Sequence, residues 1–298
     1  MVLLRLQAAL FSLVYLVAMF ENLTILILTI LDCHLHTPMY FFLRHLSYVE
    51  LSLISTTVPK SILNCFILSE YISFLGCMCQ LFLVILLAGS EAGILTAMSY
   101  DRYVAICHPL HYEALMSNGC CVQLMAVSWL SGGSLGILYS VGIFSLEFCG
   151  PNRIHQFFCD VPALLELTCS EERVAVSVSV ALGVLYAFSC LVCIVVSYVF
   201  IFSTVLKIPS RHSRSKAFST CMPHLVVVST FLLTGSAAYL KPSSNAPPLQ
   251  DVLCSMFYTV APPTLNPIIY CLRNRDIHSA LNKVLRKVRR GLIERYYS

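Results

Sequence analysis

The sequence predicts an all-α membrane protein, a seven-transmembrane helix bundle with its N-terminus outside, and three observations carry that prediction. Of its 298 residues, 58% are hydrophobic and only 11% are charged, where a water-soluble domain carries about 25% charged residues. Seven windows each hold an apolar run near the roughly 20 residues a helix needs to cross a hydrocarbon core. When those windows alternate, all 19 Lys and Arg residues except Arg5, Lys60, Arg153, Arg173 and Lys241 fall on one side. An excess of Lys and Arg marks the cytoplasmic side, which places the C-terminus inside.

The windows lie near 6–31, 39–63, 74–106, 122–146, 174–206, 217–240 and 250–272. Residues 1–272 form the bundle, and 273–298 form a cytoplasmic amphipathic helix and tail. The first run flows into Asn22–Leu31 without a small-residue cleavage site, so it reads as the first transmembrane helix and not as a signal peptide. The second holds Arg44, His45, Glu50, Pro59 and Lys60. It fails a strict hydropathy cut and stands because its charges can face other helices. The third runs from Cys77 to the triplet Asp101-Arg102-Tyr103, about 37 Å at 1.5 Å per residue.

Between the fourth and fifth windows lies the longest loop, 147–173, acidic through Glu147, Asp160, Glu166, Glu171 and Glu172. It holds Cys149, Cys159 and Cys169. With Cys77 at the start of the third window, these suit two disulfides, which persist on the oxidising side of a membrane. Four cysteines allow three pairings. A loop tied in this way reads as a structured lid over the bundle. The sixth and seventh windows carry Pro223, Pro262, Pro263 and Pro267, each removing a helix hydrogen bond and permitting a hinge. Beyond them, Ile277, Leu281, Leu285, Val288 and Leu292 recur at helical spacing with Lys283, Arg286, Lys287 and Arg290 between them. This pattern suits a helix lying on an anionic lipid leaflet.

Several constellations carry chemistry. Glu50 and Glu91 are carboxylates inside membrane windows, where a charge needs a partner or a proton. With the amides of Asn22 and Asn266 they suit convergence on a small cation, Na⁺, or a shared proton. Asp101 and Arg102 read as a local ion pair at the membrane edge, a latch broken when a partner binds; the plainer reading is an interfacial snorkelling charge. In Asn266-Pro267-Ile268-Ile269-Tyr270, the Asn amide is placed to satisfy backbone groups that the proline frees. The upper halves of the third, fifth, sixth and seventh windows supply a ligand lining of Val84, Ile85, Ala88, Gly89, Leu182, Gly183, Tyr186, Gly235, Ser236, Tyr239 and Met256. Such a cavity suits a small, mostly apolar ligand with one or two hydrogen bonds. Cys33-His34-x-His36 and His108-x-x-His111 each lack a complete metal-ligand set, so no metal site is expected there. Nucleotide loops, nucleophile elbows and zinc signatures are missing, so neither an enzyme nor a nucleic-acid partner is expected. Asn22-Leu23-Thr24 fits a glycosylation acceptor but lies inside the first window.

Taken together, the chain resembles the vertebrate olfactory receptors, a branch of the rhodopsin-like G-protein-coupled receptors. The matching residues run from Leu35-His36-Thr37-Pro38-Met39-Tyr40-Phe41-Phe42-Leu43 through Met98-Ser99-Tyr100-Asp101-Arg102-Tyr103-Val104-Ala105-Ile106-Cys107-His108-Pro109-Leu110-His111-Tyr112. They continue with Phe157-Phe158-Cys159-Asp160, Ser197-Tyr198, Lys216-Ala217-Phe218-Ser219-Thr220-Cys221 with His224-Leu225, and Pro263-Thr264-Leu265-Asn266-Pro267-Ile268-Ile269-Tyr270. The resemblance implies a multi-pass plasma-membrane receptor that binds small odorants outside and couples inside to a stimulatory, olfactory-type G protein, raising cyclic AMP. It implies the pairings Cys77–Cys159 and Cys149–Cys169, and Glu50 with Glu91 as the cation pair. It also implies a switch made of Asp101, Arg102, Tyr103, Tyr198, Asn266, Pro267 and Tyr270, with the basic Lys207–Lys216 loop facing the G protein.

The chain departs from the family pattern at four places. Glu21 stands where the family has Gly before the first-window Asn, which bears on helix packing or trafficking. Glu50 replaces the usual Asp, one methylene longer. Only about five residues precede the first window where the family has a glycosylated tail, which points either to weaker surface delivery or to a shortened form of the sequence. Leu232 and Leu233 stand in place of Tyr-Gly and favour a more apolar ligand. The rival readings are a receptor-like protein with impaired export or signalling, and a transporter or channel using the membrane carboxylates.

Overall fold

The computed structural model describes residues 2–67, 72–149, 158–170, 174–239, 248–273 and 276–284, with 286 and 289. Seven long helices dominate: α1 (Val2–Leu31), α2 (Pro38–Ile67), α3 (Phe74–Cys107), α4 (Asn118–Phe144), α5 (Val174–Leu206), α6 (Arg211–Tyr239) and α7 (Pro248–Arg273). Local chemistry sets several boundaries. Ser73 caps α3, its hydroxyl accepting from the Gly76 amide at 3.1 Å. Ser117 caps α4 in the same way through the Cys120 amide, so α4 begins at Asn118 and not near 122. The α6 helix begins at Arg211, ahead of the expected 217, with the Arg214 amide donating to the Ser210 carbonyl at 3.0 Å. The basic Arg211–Lys216 run is therefore a helical turn. Unpaired helix-end amides and carbonyls favour such caps.

The α3 helix is the hub, packing against α2, α4, α5 and α6, while α1 packs on α2 and α7. Helices α3 and α4 approach closely. A Cβ on Gly132 would meet the Leu86 carbonyl oxygen and would lie 2.7 Å from the Ser90 amide nitrogen. Opposite it, a Cβ on Gly89 would lie 2.9 Å from the Gly132 Cα. Small residues on both helices let the backbones touch, the usual device where lipid gives helices no hydrophobic reason to associate.

Five of the seven helices, all but α2 and α7, are long and apolar enough to cross a membrane among the described residues. The α2 helix falls short through Arg44, His45, Glu50 and Lys60, yet its Glu50 is buried and Arg44 stacks on the Phe41 ring 5.7 Å away. The outer faces of α1, α4 and α5 expose Leu13, Phe20, Leu130, Val141, Leu185 and Phe188, a surface suited to hydrocarbon. The main core runs through the bundle and includes Ile54, Ile94, Met98, Ile201 and Val227. A second cluster joins α3, α4 and the loop after α4 through Leu81, Leu135, Ile143, Cys159 and Leu164.

That loop has its own scaffold. Cys77 pairs with Cys159, Cα atoms 5.5 Å apart, and Cys149 pairs with Cys169 at 5.7 Å. Phe148 and Thr168 form an antiparallel bridge, and Asp160 caps the short helix Val161–Glu166. Gln80 on α3 fastens the loop, accepting from the Cys159 amide at 2.9 Å while donating to the Thr56 carbonyl of α2 at 2.9 Å. Glu171, Glu172 and residues 150–157 lie outside the described residues.

After α7, residues 276–284 are helical and turn Ile277 and Ala280 into the core, with Leu281 and Val284 packed beside them. The expected apolar positions Leu285, Val288 and Leu292 lie outside the described residues, as do Lys287 and Arg290. Polar ties hold this segment: Tyr40 of α2 donates to Asp276 at 2.9 Å, and Lys283 pairs with Asp32 at 3.1 Å.

Candidate ligand and coupling sites

Three polar side chains meet in the middle of the bundle. Glu50 of α2, Glu91 of α3 and Asn266 of α7 are each at most 1% exposed. The Asn266 amide donates to Glu50 Oε1 at 2.6 Å, and the two carboxyl groups are close enough to interact electrostatically. Both Glu91 oxygens and the Asn266 Oδ1 are buried with no hydrogen-bond partner among the described residues. An oxygen-only cluster with orphaned acceptors has the donor set a hard monovalent cation takes, so the residues present fit such an ion.

The Asn22 amide nitrogen is engaged elsewhere, while its Oδ1 is buried without a hydrogen-bond partner among the described residues. The amide donates to the Pro263 carbonyl of α7 at 2.9 Å and to Ala18 at 3.0 Å. Pro267 has no N–H, and in a helix that missing donor belongs to the carbonyl four residues back, Pro263. Asn22 of the neighbouring helix supplies it. The role that the sequence suggested for Asn266 belongs to Asn22, and Asn266 turns toward Glu50. Glu21, beside Asn22, has a buried Oε2 without a hydrogen-bond partner among the described residues.

At the far end of α3, Asp101 and Arg102 are not an ion pair within 4 Å. The Tyr112 hydroxyl donates to Asp101 at 2.6 Å, and Arg102 Nη2 points at Met39 Sδ. Burial, together with the Asp101 charge, pushes the Tyr112 hydroxyl well above its ordinary pKa, so it remains a donor. Tyr112 follows α3 by one short reversal, which Pro109 initiates. The latch expected within the triplet is instead made across that reversal. Tyr103 faces His108, its hydroxyl 3.0 Å from Nε2.

Helix α6 is held here by His224, which is 2% exposed. Its Nε2 lies 3.0 Å from the Leu95 carbonyl of α3 and its Nδ1 2.8 Å from the Tyr198 hydroxyl of α5. A carbonyl only accepts, so Nε2 donates and Nδ1 accepts from Tyr198. Below this bridge opens a cavity of about 810 Å³ lined by Met39, Arg102, His212, Lys216, His224 and Tyr270. Its wall is basic. The Tyr270 hydroxyl is buried without a hydrogen-bond partner among the described residues. His224 was legible only as part of a motif, since its partners lie on α3 and α5.

The ligand lining read from sequence is divided. Val84 sits in the main core. Ile85 and Gly89 face α4, Ile85 against Leu135 and Tyr139 and Gly89 against Gly132. Ala88 is half-buried, Leu182 is 41% exposed on the outer face of α5, and Gly183 abuts Tyr139. Gly235 meets open space and Ser236 is exposed. The side chains of Tyr239 and Met256 lie outside the described residues. Tyr186 turns inward between helices, donating to the Gly89 carbonyl at 2.9 Å and accepting from Ser131 at 3.0 Å. It lines an apolar cavity of about 530 Å³ between α3, α4 and α5, with Gly93, Tyr100, Leu124 and Phe200. The small residues of α4, Gly132 and Gly136, were the available signal that this face of α3 is taken.

Between α1 and α2, Asp32 caps the turn Cys33–Leu35 and contacts Lys283. The hydrogen bond from Lys283 and that from the His34 amide hold its carboxyl at about 2, below its ordinary range.

A sequence profile of the olfactory receptor family matches residues 11–288. The chain is 68% identical to human Olfactory receptor 14K1 over 288 residues, 97% of this chain and 92% of that protein. It is 51% identical to human Olfactory receptor 14A16, covering 94% and 91% of the two chains. Among solved structures, squid rhodopsin superposes with a TM-score of 0.75 at 17% identity, over 93% of this chain and 79% of that one, which fixes the seven-helix fold. The profile and the identities together place this chain in the olfactory receptor family of G-protein-coupled receptors, and it is a receptor and not an enzyme.

Proposed function

We propose that this receptor takes a small, mostly apolar odorant in the half of the bundle that carries the disulfides. On the Arg102 face it engages a stimulatory, olfactory-type G protein and raises cyclic AMP. In the plasma membrane the disulfide end is extracellular, with the N-terminus outside and the C-terminus in the cytoplasm. Lys and Arg asymmetry supports that orientation, and the Cys77–Cys159 and Cys149–Cys169 pairs agree with it. The observation that carries the coupling reading is the His224 bridge. It ties α6 to α3 and α5 directly above a basic cavity. A ligand that favours a state with this bridge broken shifts the population toward an open cavity, by no more than its differential affinity for the two states.

We further propose that Glu91, Glu50 and Asn266 hold Na⁺ in the resting state, supported by the orphaned oxygens of Glu91 and Asn266. The ion supplies positive charge to two adjoining carboxyl groups. The helix 276–284, with Lys283 and Arg286, lies against anionic lipid. The test is cyclic AMP in cells expressing the chain with a surface-export tag, challenged with a mixed odorant panel beside Arg102→Ala. A wild-type response that Arg102→Ala loses at equal surface level supports the reading. A response that Arg102→Ala retains at that level overturns it.

A further inference from the structure

The turn between α1 and α2 carries chemistry that odorant binding and coupling do not use. Asp32 Oδ1 lies 3.0 Å from His34 Nδ1 and also accepts from the His34 amide at 3.1 Å. Cys33 Sγ lies 3.7 Å from the same Nδ1. All three ligand atoms fall within 4.8 Å of one another. Cys33 is a free, exposed thiol, and the His34 side chain is 76% exposed. Lys283 occupies the other carboxylate oxygen, Oδ2, at 3.1 Å, which leaves Oδ1 turned toward Cys33 and His34.

These separations match a known coordination geometry. Tetrahedral zinc has Zn–N and Zn–O bonds of about 2.0–2.1 Å and Zn–S bonds of about 2.3 Å, which sets donor pairs about 3.3 Å (O and N) and about 3.6 Å (N and S) apart. The observed 3.0 and 3.7 Å lie within a few tenths of an ångström of those edges. The remaining O–S edge is no more than 4.8 Å. We propose that Asp32, Cys33 and His34 form a binding site for a zinc-class divalent cation, with water completing the tetrahedron.

The donor types select the ion. A thiolate and an imidazole favour zinc over magnesium or calcium, which take oxygen ligands. Binding releases the Cys33 thiol proton to solvent, and the sulfur lone pair forms the bond to the metal; His34 gives up the Nδ1 proton that it donates to Asp32 and carries one on Nε2 instead, which frees the Nδ1 lone pair for the metal. The sequence offered only His36 as a companion of Cys33 and His34, a set too incomplete for a metal site to be expected. The structure puts Asp32 there instead, while His36 Nε2 lies 3.4 Å from the Ile30 carbonyl. Asp32 also holds Lys283, so an occupied site joins the α1–α2 turn to the helix after α7 through one carboxylate, each oxygen with its own partner.

The test uses the full-length receptor, purified in detergent and stripped of metal. Zn²⁺ is titrated against a chromophoric chelator, and Co²⁺ is added separately to read the thiolate-to-cobalt charge-transfer band. Wild type is expected to show the band, and Cys33→Ser to abolish it. Cys33→Ser and His34→Ala should each weaken zinc by about tenfold or more, the order seen when a metal site loses a supporting group. His36→Ala, His111→Ala and Lys283→Met leave all three donors intact and should stay within about twofold of wild type. A wild type without the band, a band that survives Cys33→Ser, or a loss with His36→Ala as large as with His34→Ala would each overturn the proposal.

Discussion

Substituting Gly132 by Ala tests the contact on which the α3–α4 pairing rests. The added Cβ would sit on the Leu86 carbonyl oxygen and 2.7 Å from the Ser90 amide nitrogen, with the Ser90 hydroxyl 2.5 Å away. The hydroxyl can rotate, but the two backbone atoms belong to the hydrogen-bonded helix α3 and cannot. Ordinary van der Waals contact is about 3.5–4 Å, so the two helices must separate by about 1 Å along much of their shared length. Overpacking of this kind costs about 1–3 kcal/mol, and rigid neighbours put this site at the upper end. Against that, replacing Gly by Ala in a helix gains about 1 kcal/mol. The net loss is about 2 kcal/mol, or roughly 4–8 °C in melting temperature at about 2–4 °C per kcal/mol. Gly133 is the matched control, because a Cβ there meets nothing within 4 Å. Gly133→Ala keeps the propensity gain without the clash and should be neutral or stabilising. The assay is thermal unfolding of the purified receptor in detergent, followed with a thiol-reactive dye, beside surface level in cells. If Gly132→Ala melts at or above wild type, or no lower than Gly133→Ala, the close-contact reasoning is wrong.

Three further predictions follow from the buried polar groups. Asn22→Leu removes the amide that serves the Pro263 carbonyl; an unpaired buried carbonyl costs about 1–3 kcal/mol, and the melting temperature should fall accordingly. Gln80→Ala frees both the Cys159 amide and the Thr56 carbonyl. It should speed hydrogen exchange at Cys159 by at least about fivefold without changing the disulfide pairing, and unchanged exchange would show that the disulfide alone holds the loop. Exchanging K⁺ for Na⁺ should raise the melting temperature of the wild type but not of Glu91→Gln; an equal Na⁺ response in both proteins would remove Glu91 from the cation site.

Much of the fold was legible because a bilayer imposes a length and an apolar composition on each helix, and both can be read without knowing any neighbour. Even α2, with its charges, was recoverable from the expectation that Glu50 turns inward, and it meets Asn266. Reading failed wherever the partner was set by packing. Period alone places Ile85 and Gly89 on one face of α3, but only the small residues of α4 decide that this face belongs to α4 and not to a ligand. Asn22 and Asn266 are chemically alike, and their division of labour depends on where α7 lies against α1 and α2. Arg102 and Asp101 are adjacent in sequence, yet Asp101 finds Tyr112 across a chain reversal, and adjacency was a poor guide to pairing.

The hydrogen bond from Asn22 to the Pro263 carbonyl makes α1 a splint for the most easily bent part of α7. Proline-rich helices are usually drawn as free levers. Here the lever is bolted to its neighbour at the fulcrum, so α7 cannot swing there without carrying α1 or breaking the bond. Spin labels across the α1–α7 pair should therefore keep their separation through activation, while labels spanning either helix and α6 should not. The moving parts of this receptor number fewer than its helices.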